Sequence, residues 1–314
     1  KPGSNSSTVL PTSSSLVVAM SLHAAALASR YWKSITRPVG SRTACSNICG
    51  SSMLSTVAGV AVRDGKLTDL DAPVGRTVKD GGYDSPRNQL VTWKMHLQQE
   101  SEWEGTMFGK KDDFIGKEAF GEGEMKPREQ KRPGTYYEYN DVRINRFSLS
   151  LLRTFGESVP DVFRREVMDP IGASNTWRWI PYHNSYVDLN GKKVASVSGG
   201  TRWGGGMWIN AWDLARFGYL WLRGGNWNGK QIVSKNWVEQ STKIDITEGS
   251  DEGYQYQWWL PTNTGEFMAE GILGQFIYVN PNKNIVIVRM GKNYGNINWA
   301  DLFSLLSNYE PKTK

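Results

Sequence analysis

Acidic residues are missing from the first 63 positions of this 314-residue chain. The six basic residues there, Lys1, Arg30, Lys33, Arg37, Arg42 and Arg63, account for the whole formal net charge of +6, so the remainder is charge-balanced. A balanced body with no basic stripe among aromatics lacks the electrostatic footprint of a nucleic-acid binder, and no nucleic-acid partner is expected. Cysteine is nearly absent. Cys45 and Cys49 stand four residues apart, which suits one helical face better than a disulfide. His23, His96 and His183 are isolated, with no HExxH or paired Cys-x-x-Cys around them, so neither a zinc site nor any cofactor is expected. No apolar run reaches the length of a membrane-spanning helix. Gly-x-Ser-x-Gly, the Walker loop and the dinucleotide fingerprint are also missing, and no lysine has a serine three residues before it.

Against these absences stand 14 Trp, 13 Tyr and 33 Gly, high counts for a composition that is otherwise 39% hydrophobic and 22% charged. So much aromatic surface serves core packing or lines a cleft for apolar groups, and packing is the plainer expectation. A chain of this length buries roughly three quarters of its unfolded surface in one or two domains.

Residues 1–50 differ in kind from the rest, being Ser-rich and acid-free. Leu16 to Ala28 resembles the apolar core and Ala-x-Ala end of an export signal, which leans localisation toward the periplasm or secretion. An acid-poor leader also fits an organellar transit peptide, and a third reading is that the segment is not native to the fold. In that last case resequencing of the coding DNA would show a broken frame before Ser52.

From Ser52 onward the pattern is locally consistent. Met53, Leu54, Val57, Ala58, Val60 and Ala61 recur at helical spacing, which predicts a buried helix over Ser52–Asp64. Further helices are predicted over 91–99, 146–155, 161–168, 211–222 and 299–309, the one over 161–168 with Pro160 at its start. Ser101–Arg132 reads as a long polar excursion, and Glu100, Glu102 and Glu104 around Trp103 read as a solvated loop rather than a glycosidase pair. The β-branched runs Gln275–Val279 and Asn284–Arg289, joined by Asn280-Pro-Asn-Lys, predict an antiparallel hairpin. The fold class is therefore α+β, with helices packed on an antiparallel sheet.

Six stretches carry a resemblance: SMLSTVAGVAVRDGKLTDLDAPVG, PGTYYEYNDVRIN, DPIGASNTWRW, SVSGGTRWGGGMWINAWDLARFG, GYQYQWWL and GQFIYVNPNKNIVIV. In this order and spacing the chain resembles the β-lactamase-related serine hydrolases. That family includes class C β-lactamases, D-Ala-D-Ala carboxypeptidases and other penicillin-binding protein relatives, 6-aminohexanoate-dimer hydrolase and family VIII esterases. The resemblance covers about three quarters of the chain and implies one domain over 51–314, an antiparallel sheet flanked by helices with a mostly helical subdomain. It also implies hydrolysis of a small ester or amide through an acyl-enzyme.

The family's Ser-x-x-Lys should open the first buried helix, yet in that register the serine position reads Ile48 and the lysine position Ser51. Isoleucine carries no nucleophilic atom, and losing the nucleophile in comparable enzymes costs roughly a million-fold in rate. Ser51 is then the candidate nucleophile, with nearby Ser46 and Ser52, although a serine opening a helix also serves as an N-cap. The second motif is matched by Tyr139-Asn140-Asp141, which implies Tyr139 as the proton-transfer base and Asn140 and Asp141 as substrate contacts. Asp141 departs from the usual Asn, and Tyr136 and Tyr137 are near decoys. The third motif falls on Ala269-Glu270-Gly271 and then Gly274-Gln275, where Gly271, Gly274 and Gln275 are implied at the substrate. It lacks the usual cation, which favours a neutral ester or amide over a carboxylate-bearing β-lactam. Gly204, Gly205 and Gly206 either line the cleft or turn the chain. The alternative is a catalytically inactive relative that holds a ligand in the same cleft. A Trp-rich carbohydrate-binding module would need repeats that are absent.

Overall fold

A computed structural model describes residues 50–112, 128–197, 205–245, 253–261, 264–291 and 293–309, and the backbone of 16–21. In chain order the elements begin with β1 (Leu16–Ser21), α1 (Gly50–Arg63), α2 (Trp93–Leu97) and the small hairpin β2 (Thr106–Met107) and β3 (Lys110–Lys111). Next come α3 (Asp141–Phe155) and α4 (Val159–Phe163), the latter widening into a π turn over Arg164–Met168. They are followed by β4 (Arg178–Leu189), β5 (Lys192–Val197), β6 (Gly206–Trp208), α5 (Ala211–Leu222), the hairpin β7 (Asn226–Trp227) and β8 (Lys230–Gln231), and α6 (Lys235–Ser241). The last group is β9 (Tyr254–Gln255), β10 (Trp258–Trp259), β11 (Phe267–Gly271), β12 (Gln275–Asn280), β13 (Ile285–Met290) and α7 (Trp299–Ser307). The class is α+β, as the sequence pattern predicts.

The main sheet runs β1-β13-β12-β11-β10-β9, antiparallel from β13 to β9 and closed at one edge by β1 lying parallel to β13. Leu16–Ser21, part of the run that resembles an export signal, is therefore an edge strand. The expected hairpin forms with Ile277 opposite Val288 and Val279 opposite Val286. Because successive side chains in a strand point to opposite faces, Ala269, Ile277, Val279, Val286 and Val288 enter the main core, whereas Met268, Phe276, Tyr278 and Ile287 pack beneath Trp299 and Phe303 of α7. Both faces are covered, which is why these strands read as unbroken apolar runs rather than alternating ones. α5 lies so close to the sheet that a Cβ on Gly218 would sit 2.6 Å from Val286 Cγ1. α1 is buried from Gly50 through Ala61, as expected of a central helix apolar on every side. Trp93, Trp177, Trp221 and Trp258 are among the largest fully buried side chains, so the aromatic content goes largely into packing.

Three predicted boundaries shift, each because of a cap. The helix expected at Arg146 begins five residues earlier, since the Asn140 side chain accepts from Arg143 N and Gly156 ends the helix left-handed at φ 70°. The segment 91–99 contains only α2, because Val91 is extended and Thr92 caps Met95 N. α4 starts at Val159 on Ser158, with Pro160 in its first turn. The glutamates around Trp103 are not all solvated either, although most of the described excursion beyond Trp103 is exposed or half-buried. Glu100 and Glu102 are buried, whereas Glu104 is exposed.

Candidate functional site

α1 begins its described span at Gly50 and places Ser51 and Ser52 in the interior. The Ser52 hydroxyl donates to the Gln257 carbonyl at 2.6 Å. Gln257 belongs to the two-residue turn joining β9 to β10, in which Tyr256 (φ 41°) and Gln257 (φ 69°) both take the left-handed conformation. A tight hairpin of right-handed twist demands that conformation, and Asn-Gly would adopt it with less strain. Here it is held by burial: Gln257 Nε2 donates to the His96 and Leu97 carbonyls at 2.7 and 3.1 Å, and the Gln257 backbone N–H donates to Leu97 at 3.0 Å.

The strained turn fixes Tyr254, which sits at the centre of the site. Its hydroxyl donates to Gln257 Oε1 at 2.9 Å. Burial pushes that phenol well above its ordinary range, the nearby Tyr139 and Tyr137 add to the shift, and the polar side chains of Gln99 and Ser51 oppose it. Tyr254 is therefore neutral, and it stands between the first turn of α1, which it reaches through Gln257, and the tyrosine cluster. Tyr139 packs edge-on against the Tyr254 ring at 6.0 Å and stacks on Trp259 at 5.7 Å, while Tyr137 lies 5.4 Å from Tyr254. Ser51 and Tyr139, 88 residues apart in sequence numbering, thus share one neighbour. Sequence reasoning missed Tyr254, although GYQYQWWL, with four aromatics in eight residues, marked the spot.

The other candidates have definite places. Asn140 is buried and uses both ends of its amide within the protein, accepting from Arg143 N at 3.0 Å and donating to the Asp112 carbonyl at 2.8 Å. Asp141, also buried, opens α3, where a negative charge suits the helix N-terminus. Gly271 ends β11, its carbonyl accepting from the Tyr294 hydroxyl at 3.0 Å. Gly274 turns the chain at φ 76°, and its carbonyl accepts from Arg289. The Gln275 side chain clamps Gly291, accepting from its N–H at 2.9 Å and donating to its carbonyl. These three lie along β11 and its turn into β12, and β11 is the strand paired with β10, which carries Trp259. Glu270 stands where the resemblance puts a cationic motif, and burial raises its carboxyl above the usual range, partly offset by the nearby Tyr294 hydroxyl. Gly205 and Gly206 enter β6, which pairs with β4. Ile48, Ser46, Cys45, Cys49 and Gly204 lie outside the described residues.

A buried ion network stands behind Tyr139. Glu102, wholly buried, accepts from Arg143 Nη1 at 2.7 Å and Arg128 Nη1 at 3.0 Å, and Glu138, the residue before Tyr139, pairs with the same two arginines. Burial alone would raise the Glu102 carboxyl, but the hydrogen bond from Arg128 and the charge of Arg143 overcome it and hold the group below the ordinary carboxylate range. The network thus ties the loop entering Tyr139 to the first turn of α3. Among the described residues no cluster of His, Cys, Asp and Glu could hold a metal ion, and no helix is long and apolar enough to cross a membrane.

Comparison with known proteins gives one consistent result. Residues 50–296 match the beta-lactamase family. A stretch of 97 residues is 36% identical to the 6-aminohexanoate-dimer hydrolase of Paenarthrobacter ureafaciens, covering 27% of this chain and 25% of that protein. The chain thus spans about a quarter of that curated relative. Among solved structures, a 6-aminohexanoate-dimer hydrolase-like protein of Bacillus anthracis superposes with TM-score 0.61 at 19% identity, over 83% of this chain and 72% of that one. A beta-lactamase-like protein of Bacteroides dorei gives TM-score 0.60 at 14% identity, over 86% and 88%.

Proposed function

Because the chain belongs to the beta-lactamase family, we propose that it hydrolyses small esters or amides through an acyl-enzyme, with Tyr139 as the proton-transfer group and Ser51 as the nucleophile. The observation that carries this reading is the position of Tyr254, whose hydroxyl donates to Gln257, the residue that also accepts from Ser52 in the first turn of α1, while its ring packs against Tyr139. In the first half-reaction the Ser51 oxygen attacks the substrate carbonyl carbon, its proton passes toward Tyr139, and that proton is delivered to the departing alcohol or amine. In the second, water attacks the acyl carbonyl carbon as it gives a proton toward Tyr139, the bond to the Ser51 oxygen breaks, that oxygen takes the proton back, and the carboxylic acid is released. Tyr254, kept neutral by burial, orients the Ser51 hydroxyl. Gly271 and the Gly274-Gln275 turn offer backbone to the substrate from β11, and Asn140 and Asp141 bring Tyr139 to it by capping α3. The missing cation beside Gly271 favours a neutral acyl group.

Ester turnover tests this. The native chain should release p-nitrophenol from p-nitrophenyl butyrate, and Tyr139→Phe should lower kcat/KM by about 10²- to 10⁴-fold. A Tyr139→Phe variant with unchanged turnover would remove Tyr139 from the mechanism. The register that places Ile48 at the family's serine position favours a second reading, a catalytically inactive relative that binds a ligand in the aromatic cleft. Complete absence of turnover on both ester and amide substrates would favour it.

A further inference from the structure

A recess lies on the flank of α3, with a cavity of about 660 Å³ that neither Ser51, Tyr139 nor Tyr254 lines. Its volume is that of a small-molecule site. Arg146, Leu149 and Arg153, at helical spacings of three and four, present one face of α3 to it. Arg146 is almost wholly buried. Its guanidinium lies 4.3 Å from the Tyr83 ring centre and 5.7 Å from that of Trp103, and its Nη2 donates to Asp80 Oδ1 at 2.6 Å.

The polar groups of this recess are incompletely matched. Arg146 Nε, Arg153 Nε and Asp80 Oδ2 are buried and make no hydrogen bond among the described residues. Arg153 Nε and Asp80 Oδ2 stand 3.7 Å apart, within ion-pair range but beyond hydrogen-bonding length. Among the described residues, two guanidiniums thus face one carboxylate at the inner wall. Glu104 at the rim is exposed and paired with Arg87 at 3.7 Å. Trp103, Met107 and Leu149 supply the apolar wall.

We infer that this recess binds a small carboxylate with an aromatic or branched apolar body, its carboxylate on the two arginines and its body against Trp103 and Leu149. Planar guanidinium forks suit a carboxylate, and a buried one strengthens that contact. The inference goes beyond the hydrolytic reading, since it concerns a separate recess and stands whether or not Ser51 is active.

Isothermal titration of the full chain with 3-phenylpropionate, and with its neutral amide as control, tests it. The acid should bind saturably, at least about tenfold more tightly than the amide. Arg153→Gln, a change at a partly exposed position, should bring the acid down to the affinity of the amide. Thr106→Trp, at an exposed position on the rim, should block both, while Tyr139→Phe should leave binding unchanged. Absence of saturable binding, equal affinity for acid and amide, or an Arg153→Gln variant that binds as the native chain does would overturn the inference, as would acid binding lost in Tyr139→Phe.

Discussion

Strands β12 and β13 bury apolar side chains on both faces, whereas α3 buries Arg143 and Arg146 and draws Glu102 and Asp80 in against them. Each apolar residue in the sheet contributes on its own, by about 1.5–3 kcal/mol when fully buried. The charges around α3 work only in combination, because a buried ion stripped of its partner keeps its full desolvation cost. The sheet is therefore the tolerant half of the molecule. The α3 flank is the exacting half, and it is the half that carries Tyr139.

The sharpest way to break this contrast is to delete one member of the network. Glu102→Ala leaves Arg143 buried with only part of its partnership, and chemical denaturation should show a loss of about 3–5 kcal/mol. A loss below about 1 kcal/mol would mean that α3 is held by apolar packing, as the sheet is. On the sheet side the corresponding insult is steric. Gly218→Ala places a Cβ 2.6 Å from Val286 Cγ1 and 2.8 Å from Ile277 Cγ2 and should cost about 1–3 kcal/mol in the same assay.

Acid sharpens the contrast further, because the two regions respond with opposite signs. His96, buried beside Tyr83 and repelled by Arg146 and Arg143, has its pKa pushed down to about 3. Its folded value lies below the unfolded one, so its contribution is full above about pH 6.5 and declines as pH falls toward 3. Glu102 and Asp80 are also held below their ordinary values, by arginine partners that outweigh burial, and their contribution is lost below about pH 4. Glu270 in the sheet is raised instead, so acid relieves its burial. Hydrogen exchange measured down the pH scale should show α3 losing protection first, by on the order of 1 kcal/mol per pH unit below 6.5, with β11 to β13 lagging. A simultaneous loss, or the sheet opening first, would contradict the assignment of acid sensitivity to α3.

The sheet was legible in sequence because its signal is local. The runs QFIYVN and IVIVRM announce buried strands, and Ala211–Leu222 announces its helix, from neighbours alone. The α3 flank was not, because its partners are remote in the chain. Arg128 and Arg143 stand 26 and 41 residues from Glu102, so the glutamates around Trp103 read as solvated loop. Asn140 was legible as part of a motif but not as the cap that starts α3 at Asp141, and the same residue type serves both purposes. Tyr139 and Ser51 could be named from pattern. Tyr254 could not, because its place depends on a hairpin turn with two left-handed residues that lack the Asn-Gly signature.

The central claim is that Ser51, Tyr254 and Tyr139 form an acyl-transfer site. It is tested most directly by treating the native chain with a fluorophosphonate and locating the adduct by intact mass and peptide mapping. One stoichiometric adduct is expected on Ser51, absent in Ser51→Ala and slowed in Tyr139→Phe. An unlabelled chain, or an adduct that persists undiminished in Ser51→Ala, would contradict it.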